Sequence, residues 1–229
     1  AFVVAALAPL ATLLWAATQW STVVGNPSAV DEACHASAGT AQFESVGWIS
    51  DLDLDLYLRF DAFALVMTLL VSGIGLLVCV YAVGYFSHIE PGQSRLAGLM
   101  TLFAAAMLGI VWADHLIALF IAWELTSITS YLLIGNDDRN PRARAAALQA
   151  IFITGAGGLA LLLGLIIIGQ SAGTYRLSEM IDSPPSGGAV AAALVCVLLG
   201  AFTKSAQAPF SSWLPGAMVA PTPISAYLH

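Results

Sequence analysis

One lysine stands out in this 229-residue sequence because it lies in a stretch that is otherwise apolar or small. Lys204 is the only lysine of the chain, and the residues before it, Ala-Ala-Ala-Leu-Val-Cys-Val-Leu-Leu-Gly-Ala-Phe-Thr, are hydrophobic enough to enter a bilayer. A lysine at the centre of a membrane helix costs roughly 2.5–3.5 kcal/mol, so it normally faces a protein interior or a water-filled path. Its chemistry there would be the transfer of a proton or the guidance of an ion.

Glu124 is a second charge at the depth of a membrane helix, about ten residues from either end of an apolar stretch. Two interpretations remain open. In the first, Glu124 is a packing residue held by nearby hydroxyl groups, those of Thr126, Ser127 and Ser130. In the second, it faces Lys204 as an acid–base couple. Burial and the neighbouring opposite charge then act against each other, and the separation of the two groups decides whether Lys204 holds its proton.

His229 is the third candidate, because an imidazole can take up and release a proton near neutral pH. A lone histidine is more often a packing residue, so this interpretation depends on the two charges upstream. His88 and His115 fall at predicted loop ends and are interpreted as solvated surface residues. Three cysteines lie in separate segments without the spacing of a metal site, namely Cys34, Cys79 and Cys196. We therefore expect no metal, and no phosphate-binding loop, haem, flavin or iron–sulfur motif indicates a cofactor.

Two prolines after Lys204 predict a discontinuous helix. Pro209 has no N–H and would leave the carbonyl of Ser205 without its helical hydrogen bond, and Pro215 would do the same for Ser211. Free backbone groups at membrane depth are tolerated where they line a cavity or are buried in protein. We expect the break to hold water, with a polar lining from Ser205, Gln207 and Ser211.

Composition identifies an integral membrane protein. Hydrophobic residues make up 59% of the chain and charged residues 9%, and the mean hydropathy is +0.86. There is no basic patch for nucleic acid. The predicted membrane spans lie at about 1–24, 61–86, 95–113, 115–135, 145–170 and 188–217, the last of them broken at Pro209.

The expected fold is all-α, a multi-span helical bundle with one proline-broken transmembrane helix and a short extracellular β-hairpin. Residues 1–24 form a transmembrane helix, residues 25–60 the extracellular connection, and residues 61–229 the proton-translocating bundle. Strict polar–apolar alternation in residues 51–60 predicts the strand. Arginines concentrated in the second and fourth connections place those on the cytoplasmic side. Labelling a cysteine placed at Asp53 from outside would test this orientation.

Four motifs in order resemble a known family. They are Trp-Glu-Leu-Thr-Ser at 123–127, Ser-Tyr-Leu-Leu-Ile-Gly at 130–135, Lys-Ser-Ala-Gln at 204–207 with Pro-Phe-Ser-Ser-Trp-Leu-Pro at 209–215, and Ala-Pro-Thr-Pro-Ile-Ser-Ala-Tyr-Leu-His at 220–229. They look like the antiporter-like subunits shared by respiratory complex I and the Mrp multisubunit cation/proton antiporters. The first motif and Gly-Trp-Ile-Ser at 47–50 look more like the large A subunit of Mrp. The resemblance implies that Glu124 is the buried glutamate, Lys204 the broken-helix lysine and His229 the relay histidine of the first half-channel.

The resemblance implies a transporter subunit, not an enzyme, in a bacterial plasma membrane. Its expected partners are other membrane subunits, the lipid bilayer, and as transported ions protons and Na⁺ or another monovalent cation. One alternative is a proton-pumping membrane subunit of complex I or a related redox-driven complex, which would use the same residues. A structural subunit with inert charges is a third hypothesis. Because the chain begins without Met and lacks the family's second repeat, we expect it to be the N-terminal part of a longer polypeptide.

Overall fold

The structure is a computed structural model that describes residues 1–23, 41–49, 54–86 and 92–228. In this part of the chain, two strands, β1 (Gln42–Ile49) and β2 (Leu54–Phe60), lie between the second and third helices. The helices are α1 (Phe2–Thr18), α2 (Trp20–Val23), α3 (Ala62–Tyr85), α4 (Gln93–Trp112), α5 (Leu116–Ile134), α6 (Pro141–Ala172), α7 (Leu177–Asp182), α8 (Gly188–Lys204), α9 (Trp213–Ala217) and α10 (Thr222–Leu228).

Six of the helices are apolar enough to lie in a membrane. Within the described residues, α3, α4, α5 and α6 are also long enough to cross one, while α1 and α8 are apolar helices of 17 residues. At about 1.5 Å per residue, 17 residues cover about 25 Å, close to the thickness of the hydrocarbon core. Large apolar side chains such as Leu77, Phe152 and Leu159 are exposed, as lipid-facing side chains are. The chain is a mostly helical membrane protein, and the predicted spans overlap these six helices.

Capping residues explain where two of the long helices begin. Asp61 Oδ1 accepts a backbone N–H at 2.8 Å at the start of α3. Asn140 Oδ1 accepts the N–H of Arg142 at 3.0 Å at the start of α6, and Pro141 occupies the first turn, where its missing N–H is not needed. The helix α6 therefore begins four residues before the predicted span at 145, and Arg142 lies in its first turn instead of in the connection.

The two strands form an antiparallel hairpin. Pairing runs from Gln42 opposite Phe60 to Ile49 opposite Leu54, with an irregularity between Gly47 and Ile49. The polar–apolar alternation predicted a strand here because successive side chains in a strand point to opposite faces. The side of the membrane on which the hairpin lies stays a prediction.

Three connections meet at one end of the bundle. The hairpin strand β2 pairs with the corner between α4 and α5 through a bridge of Leu58 with Ala113. The same corner pairs with the connection after α6 through a bridge of His115 with Arg176. These connections therefore share one side of the bundle, which the predicted topology requires.

The helix α8 ends at Lys204 in a C-terminal capping motif. The N–H of Gln207 donates to the carbonyl of Phe202 at 2.9 Å, and the N–H of Ala206 donates to that of Thr203 at 3.4 Å. These are the two bonds of a Schellman motif, with Ala206 in the left-handed region at φ 53°. The helix thus closes through its own backbone, and the role of Pro209 in the break remains a proposal.

A short helix follows the break. Pro215 lies in the first turn of α9, where a helix does not use its N–H, and the carbonyl of Ser211 accepts the N–H of Leu214 at 3.3 Å. Pro215 therefore does not leave the Ser211 carbonyl free, contrary to the sequence-based expectation. The indole Nε1 of Trp213 donates to the carbonyl of Thr203 at 3.0 Å and ties α9 to the end of α8.

The helix α5 lies between two apolar clusters. One cluster joins α1, α3, α4 and α10 and includes Met100, Leu133 and Ile224. The other joins α6 and α9 and includes Ile134, Ala147 and Trp213. Because the consecutive residues Leu133 and Ile134 belong to different clusters, α5 is central to the bundle, and this helix carries Glu124.

Glycines let α6 and α8 approach closely. A Cβ atom added to Gly164 would lie 2.7 Å from the carbonyl oxygen of Ala193, and one added to Gly200 would lie 2.7 Å from the Cβ of Leu161. Small residues at such positions allow helices to pack backbone to backbone in lipid. Close packing of these two helices holds the Lys204 end of α8 inside the bundle.

Candidate functional site

Lys204 points back to the helix that carries Glu124. Its Nζ donates a hydrogen bond to Ser127 Oγ at 2.9 Å and lies 5.7 Å from the centre of the Trp123 ring. Ser127 is only 2% exposed. The ammonium group is therefore held in the protein interior by a hydroxyl and an aromatic face, both from α5. Its position in the last turn of α8 also places it near the negative end of that helix.

The Glu124 carboxyl lies against α6. A Cβ atom on Gly158 would overlap Glu124 Oε1, so the carboxyl occupies the space that this glycine leaves. Oε1 is buried and has no hydrogen-bond partner among the described residues. Within that part of the chain, ion pairs involve Arg59 and Arg176 but not Glu124. Glu124 on α5 and Lys204 on α8 are thus close enough to interact electrostatically, without a direct ion pair among the described residues.

The hydroxyl groups near Glu124 bond to the backbone of their own helix. Thr126 Oγ1 and Ser127 Oγ donate to the carbonyl of Trp123, at 2.6 and 3.5 Å. Ser130 Oγ donates to the carbonyl of Thr126 at 2.6 Å. None of these bonds goes to Glu124, so the interpretation of Glu124 as a packing residue held by these hydroxyls has no hydrogen bond in its favour.

A cavity of about 420 Å³ adjoins Lys204. Its wall is mostly apolar, and α3, α4, α5, α6 and α10 contribute to it. Polar groups enter this wall mainly from α5 and α6, with Thr126, Ser127, Ser130 and Thr154 beside Lys204. The cavity extends to Tyr227 and Leu228, the last described residues before His229, which itself lies outside the described residues.

The predicted lining of the helix break lies elsewhere. Ser205, Gln207 and Ser211 are exposed, as are Pro209 and Pro215, and none of the five lines the cavity. Ser205 Oγ donates to the carbonyl of Ala201 at 2.7 Å. The structure therefore brings Lys204 to the Glu124 helix but places the polar residues of the break on the outer surface of the described bundle.

A second polar cluster, which sequence reasoning missed, lies where the three connections meet. The Asp114 carboxylate is 0% exposed. It accepts the N–H of Ser178 at 2.9 Å and the hydroxyl of Ser178 at 2.6 Å, and Arg176 Nε lies 3.8 Å from it. Arg176 also pairs with Glu179 at 2.9 Å and lies 4.5 Å from the centre of the Tyr57 ring. We call Tyr57, Asp114, His115, Arg176 and Ser178 the connection cluster.

The interpretation of His115 as a solvated surface residue is wrong. His115 is 8% exposed and stacks against Tyr57 and Tyr175. Its Nδ1 accepts the N–H of Ile117 at 3.2 Å and so caps α5. The histidine is buried because the hairpin and the connection after α6 fold over the corner, which a local pattern does not indicate. Burial lowers the pKa of His115, and the nearby Asp114 carboxylate offsets part of this effect. His88 lies outside the described residues.

Side chains that could bind a metal do not group together in the described part of the chain. No three His, Cys, Asp or Glu side chains come close enough there to hold an ion. Cys79 and Cys196 are free thiols on separate helices, and Cys34 lies outside the described residues. The chemistry that the described site offers is therefore that of one carboxyl, one amine and several hydroxyls, which is suited to proton transfer.

Two family models match the chain. One, described as NADH:quinone oxidoreductase/Mrp antiporter, TM, matches residues 113–229. The other, described as NADH-Ubiquinone oxidoreductase (complex I), chain 5 N-terminus, matches residues 48–96. The first match covers more than half of the chain and includes Glu124, Lys204 and His229.

Individual relatives carry antiporter names. A Rhizobium meliloti protein, named as a probable K(+)/H(+) antiporter A/B subunit, is 47% identical over 200 residues, which are 85% of this chain and 20% of that protein. A Staphylococcus aureus protein, named as the putative antiporter component mnhA2, is 44% identical over 188 residues, which are 81% of this chain and 24% of that protein. The chain therefore spans about a fifth to a quarter of the length of these relatives.

A solved structure supports the same relationship. One chain in the structure of the Mrp complex from Dietzia sp. DQ12-45-1b matches with a TM-score of 0.78 and 36% identity, covering 100% of this chain and 26% of that chain. The resemblance to the Mrp large subunit is thereby confirmed. On the matches in both sequence and structure, the chain belongs to the NADH:quinone oxidoreductase/Mrp antiporter family.

Proposed function

We propose that this chain forms a proton-translocating part of one subunit of a multisubunit antiporter that exchanges protons for Na⁺ or another monovalent cation. The observation that carries the proposal is the position of Lys204. Its Nζ lies inside the bundle, bonded to Ser127 on the Glu124 helix, and adjoins a cavity. Ionisable groups at such depth in a membrane protein most often belong to a proton or ion pathway.

The proposed unit is the couple of Glu124 and Lys204. The described contacts give Lys204 Nζ one hydroxyl acceptor, although an ammonium group has three donors. Glu124 Oε1 has no hydrogen-bond partner among the described residues. Neither group is held in a single charge state by a fully satisfied set of bonds. Each can therefore respond to the charge of the other. When a proton binds to Glu124 and neutralises it, release of a second proton from Lys204 is favoured.

The proposed path onward from Lys204 leads to His229. The cavity supports it, because the cavity reaches the residues directly before His229 on α10. Threonine and serine hydroxyls in its wall can order water between the two groups. The exposed break, with Ser205, Gln207, Ser211, Pro209 and Pro215, is proposed to contact further protein, since polar groups at membrane depth require partners.

We further propose other membrane subunits as partners and the bacterial plasma membrane as the location, with the hairpin outside. The names of the relatives favour an antiporter subunit. We propose that the antiporter is driven by an ion gradient and is not an enzyme. A redox-driven pump would use the same residues. It would differ in requiring NADH or quinone turnover for proton movement, which cation-driven exchange in vesicles does not.

Conservative replacements of the couple test the proposal. In membrane vesicles that contain the intact protein with its partner subunits, a pH-sensitive dye reports collapse of a proton gradient when Na⁺ or K⁺ is added. Glu124→Gln keeps the shape of the side chain but removes the acid, and Lys204→Arg keeps the charge but cannot release a proton. We expect each to lower the exchange rate about 100-fold or more.

Asp138→Asn serves as the matched control, because it removes an exposed acid outside the membrane helices. It should leave exchange unchanged. The double variant of Glu124 and Lys204 should be little worse than either single variant, since coupled groups fail together. Exchange near the wild-type rate by Glu124→Gln, with normal amounts of assembled protein, contradicts the proposed function.

A further inference from the structure

The helix α6 presents three nearby glycines with different surroundings. A Cβ atom on Gly158 would overlap the carboxyl end of Glu124, and a Cβ atom on Gly157 would overlap Thr203, the residue before Lys204. A Cβ atom on Gly155 would meet nothing within 4 Å. Two of the three glycines are thus required for space: Gly158 faces Glu124 itself, and Gly157 faces the residue before Lys204.

The two overlaps differ in what would have to move. At Gly157 the conflicting atoms are Oγ1, Cβ and Cγ2 of Thr203, which are fixed to the backbone of α8. At Gly158 the nearest atom is Oε1, the far end of the flexible Glu124 side chain. A methyl group at Gly157 would therefore push two helices apart, whereas a methyl group at Gly158 would mainly push the carboxyl away.

In the described part of the chain, no hydrogen bond fixes the position of this carboxyl. Glu124 Oε1 has no partner among the described residues, and the hydroxyls of Thr126 and Ser130 are occupied by backbone carbonyls. Among the contacts that the structure describes, the steric contact with α6 limits where Oε1 lies. Lys204 is anchored separately on Ser127, so the bond to Ser127 and the space at Gly158 constrain the two groups independently.

We propose that Gly158 is a positioning residue for proton transfer, which sets the place of the Glu124 carboxyl relative to Lys204. This inference rests on the proposed function and adds to it a residue that has no ionisable group. A simple role in helix packing is the competing explanation, and it makes a different forecast for combined variants.

The test adds a methyl group at position 158 and shortens the acidic side chain at position 124. Gly158→Ala should lower cation-driven proton exchange about 10- to 100-fold, because small displacements of a proton-transferring group have effects of this size. It should also shift the pH at which exchange is fastest, while assembly stays normal. Gly155→Ala, three residues away on the same helix, should leave the exchange rate and the pH profile unchanged.

Glu124→Asp moves the carboxyl back by one methylene group, so Gly158→Ala with Glu124→Asp should exchange faster than Gly158→Ala alone. If Gly158→Ala prevents assembly, restored assembly in this double variant supports the proposal and failure to restore it overturns it. Independent, additive losses in the double variant would show packing alone. An active Gly158→Ala beside an inactive Glu124→Gln overturns only this inference, whereas an active Glu124→Gln overturns the proposed function.

Discussion

A buried carboxylate, Asp114, and a half-buried one, Glu124, have opposite surroundings. Asp114 is 0% exposed, accepts two hydrogen bonds from Ser178 and lies 3.8 Å from the Arg176 guanidinium. Glu124 has an oxygen that is buried without a hydrogen-bond partner among the described residues. Hydrogen bonds hold the Asp114 carboxylate in place, whereas the buried Glu124 oxygen has no such bond in the described part of the chain. The comparison fits a structural role for Asp114 and the proposed proton exchange for Glu124.

The cation near Asp114 also has more partners than the cation near Glu124. Arg176 contacts two carboxylates, those of Asp114 and Glu179, and the ring of Tyr57. Within the described ranges, the Lys204 ammonium group contacts one hydroxyl and the Trp123 ring. Arginine keeps its proton at any working pH, while lysine can release its proton when burial disfavours the charged form. The residue types therefore fit a permanently charged arginine at one end of the bundle and, in its interior, a lysine whose charge can change.

Removing the Asp114 side chain should destabilise the protein more than removing the Glu124 side chain. Asp114→Ala leaves the N–H and hydroxyl of Ser178 without their acceptor, which should lower the free energy of unfolding by about 2–4 kcal/mol. Glu124→Ala should change that free energy much less, because Oε1 makes no hydrogen bond to the residues that the structure describes. Thermal unfolding of the purified protein in detergent measures both.

In a transport assay, the order of the two variants should be reversed, with Glu124→Ala showing the larger defect. Exchange per assembled protein should survive in Asp114→Ala and fail in Glu124→Ala. Equal losses of stability in the two variants, or loss of exchange in properly assembled Asp114→Ala, would remove the distinction between the two carboxylates.

Protonation of His115 at lower pH is expected to cause a smaller loss of stability. Its Nδ1 accepts the N–H of Ile117, and a protonated imidazole has no acceptor to offer. Burial lowers its pKa in the folded protein below the ordinary value of 6.5, so the unfolded chain binds more protons near and below that pH. Stability should therefore be fully present above pH 6.5 and should decline as the pH falls below it.

His115→Asn is the matched variant, because asparagine is a good helix cap that does not titrate. Unfolding temperatures measured over mildly acidic pH should fall for the wild-type protein and fall less for this variant. Parallel curves for the two proteins would show that another group causes the acid sensitivity.

Local sequence patterns predicted the helices, the hairpin strand and the site candidates Glu124 and Lys204. A charge in an apolar stretch and a period-two alternation are both visible along the chain. The connection cluster was missed because its members come from three separated connections, at residues 57, 114–115 and 176–178. Neither the proline positions nor composition could indicate that Ser205, Gln207 and Ser211 are exposed. That depends on how α8 and α9 pack.

The infrared spectrum of the intact protein in lipid tests the central claim most directly. A difference spectrum between mildly acidic and mildly alkaline pH reports the carbonyl band of each carboxyl that gains or loses a proton. The account predicts a buried-carboxyl band that disappears in Glu124→Gln and persists in Asp114→Asn. A band that persists in Glu124→Gln and disappears in Asp114→Asn would contradict it.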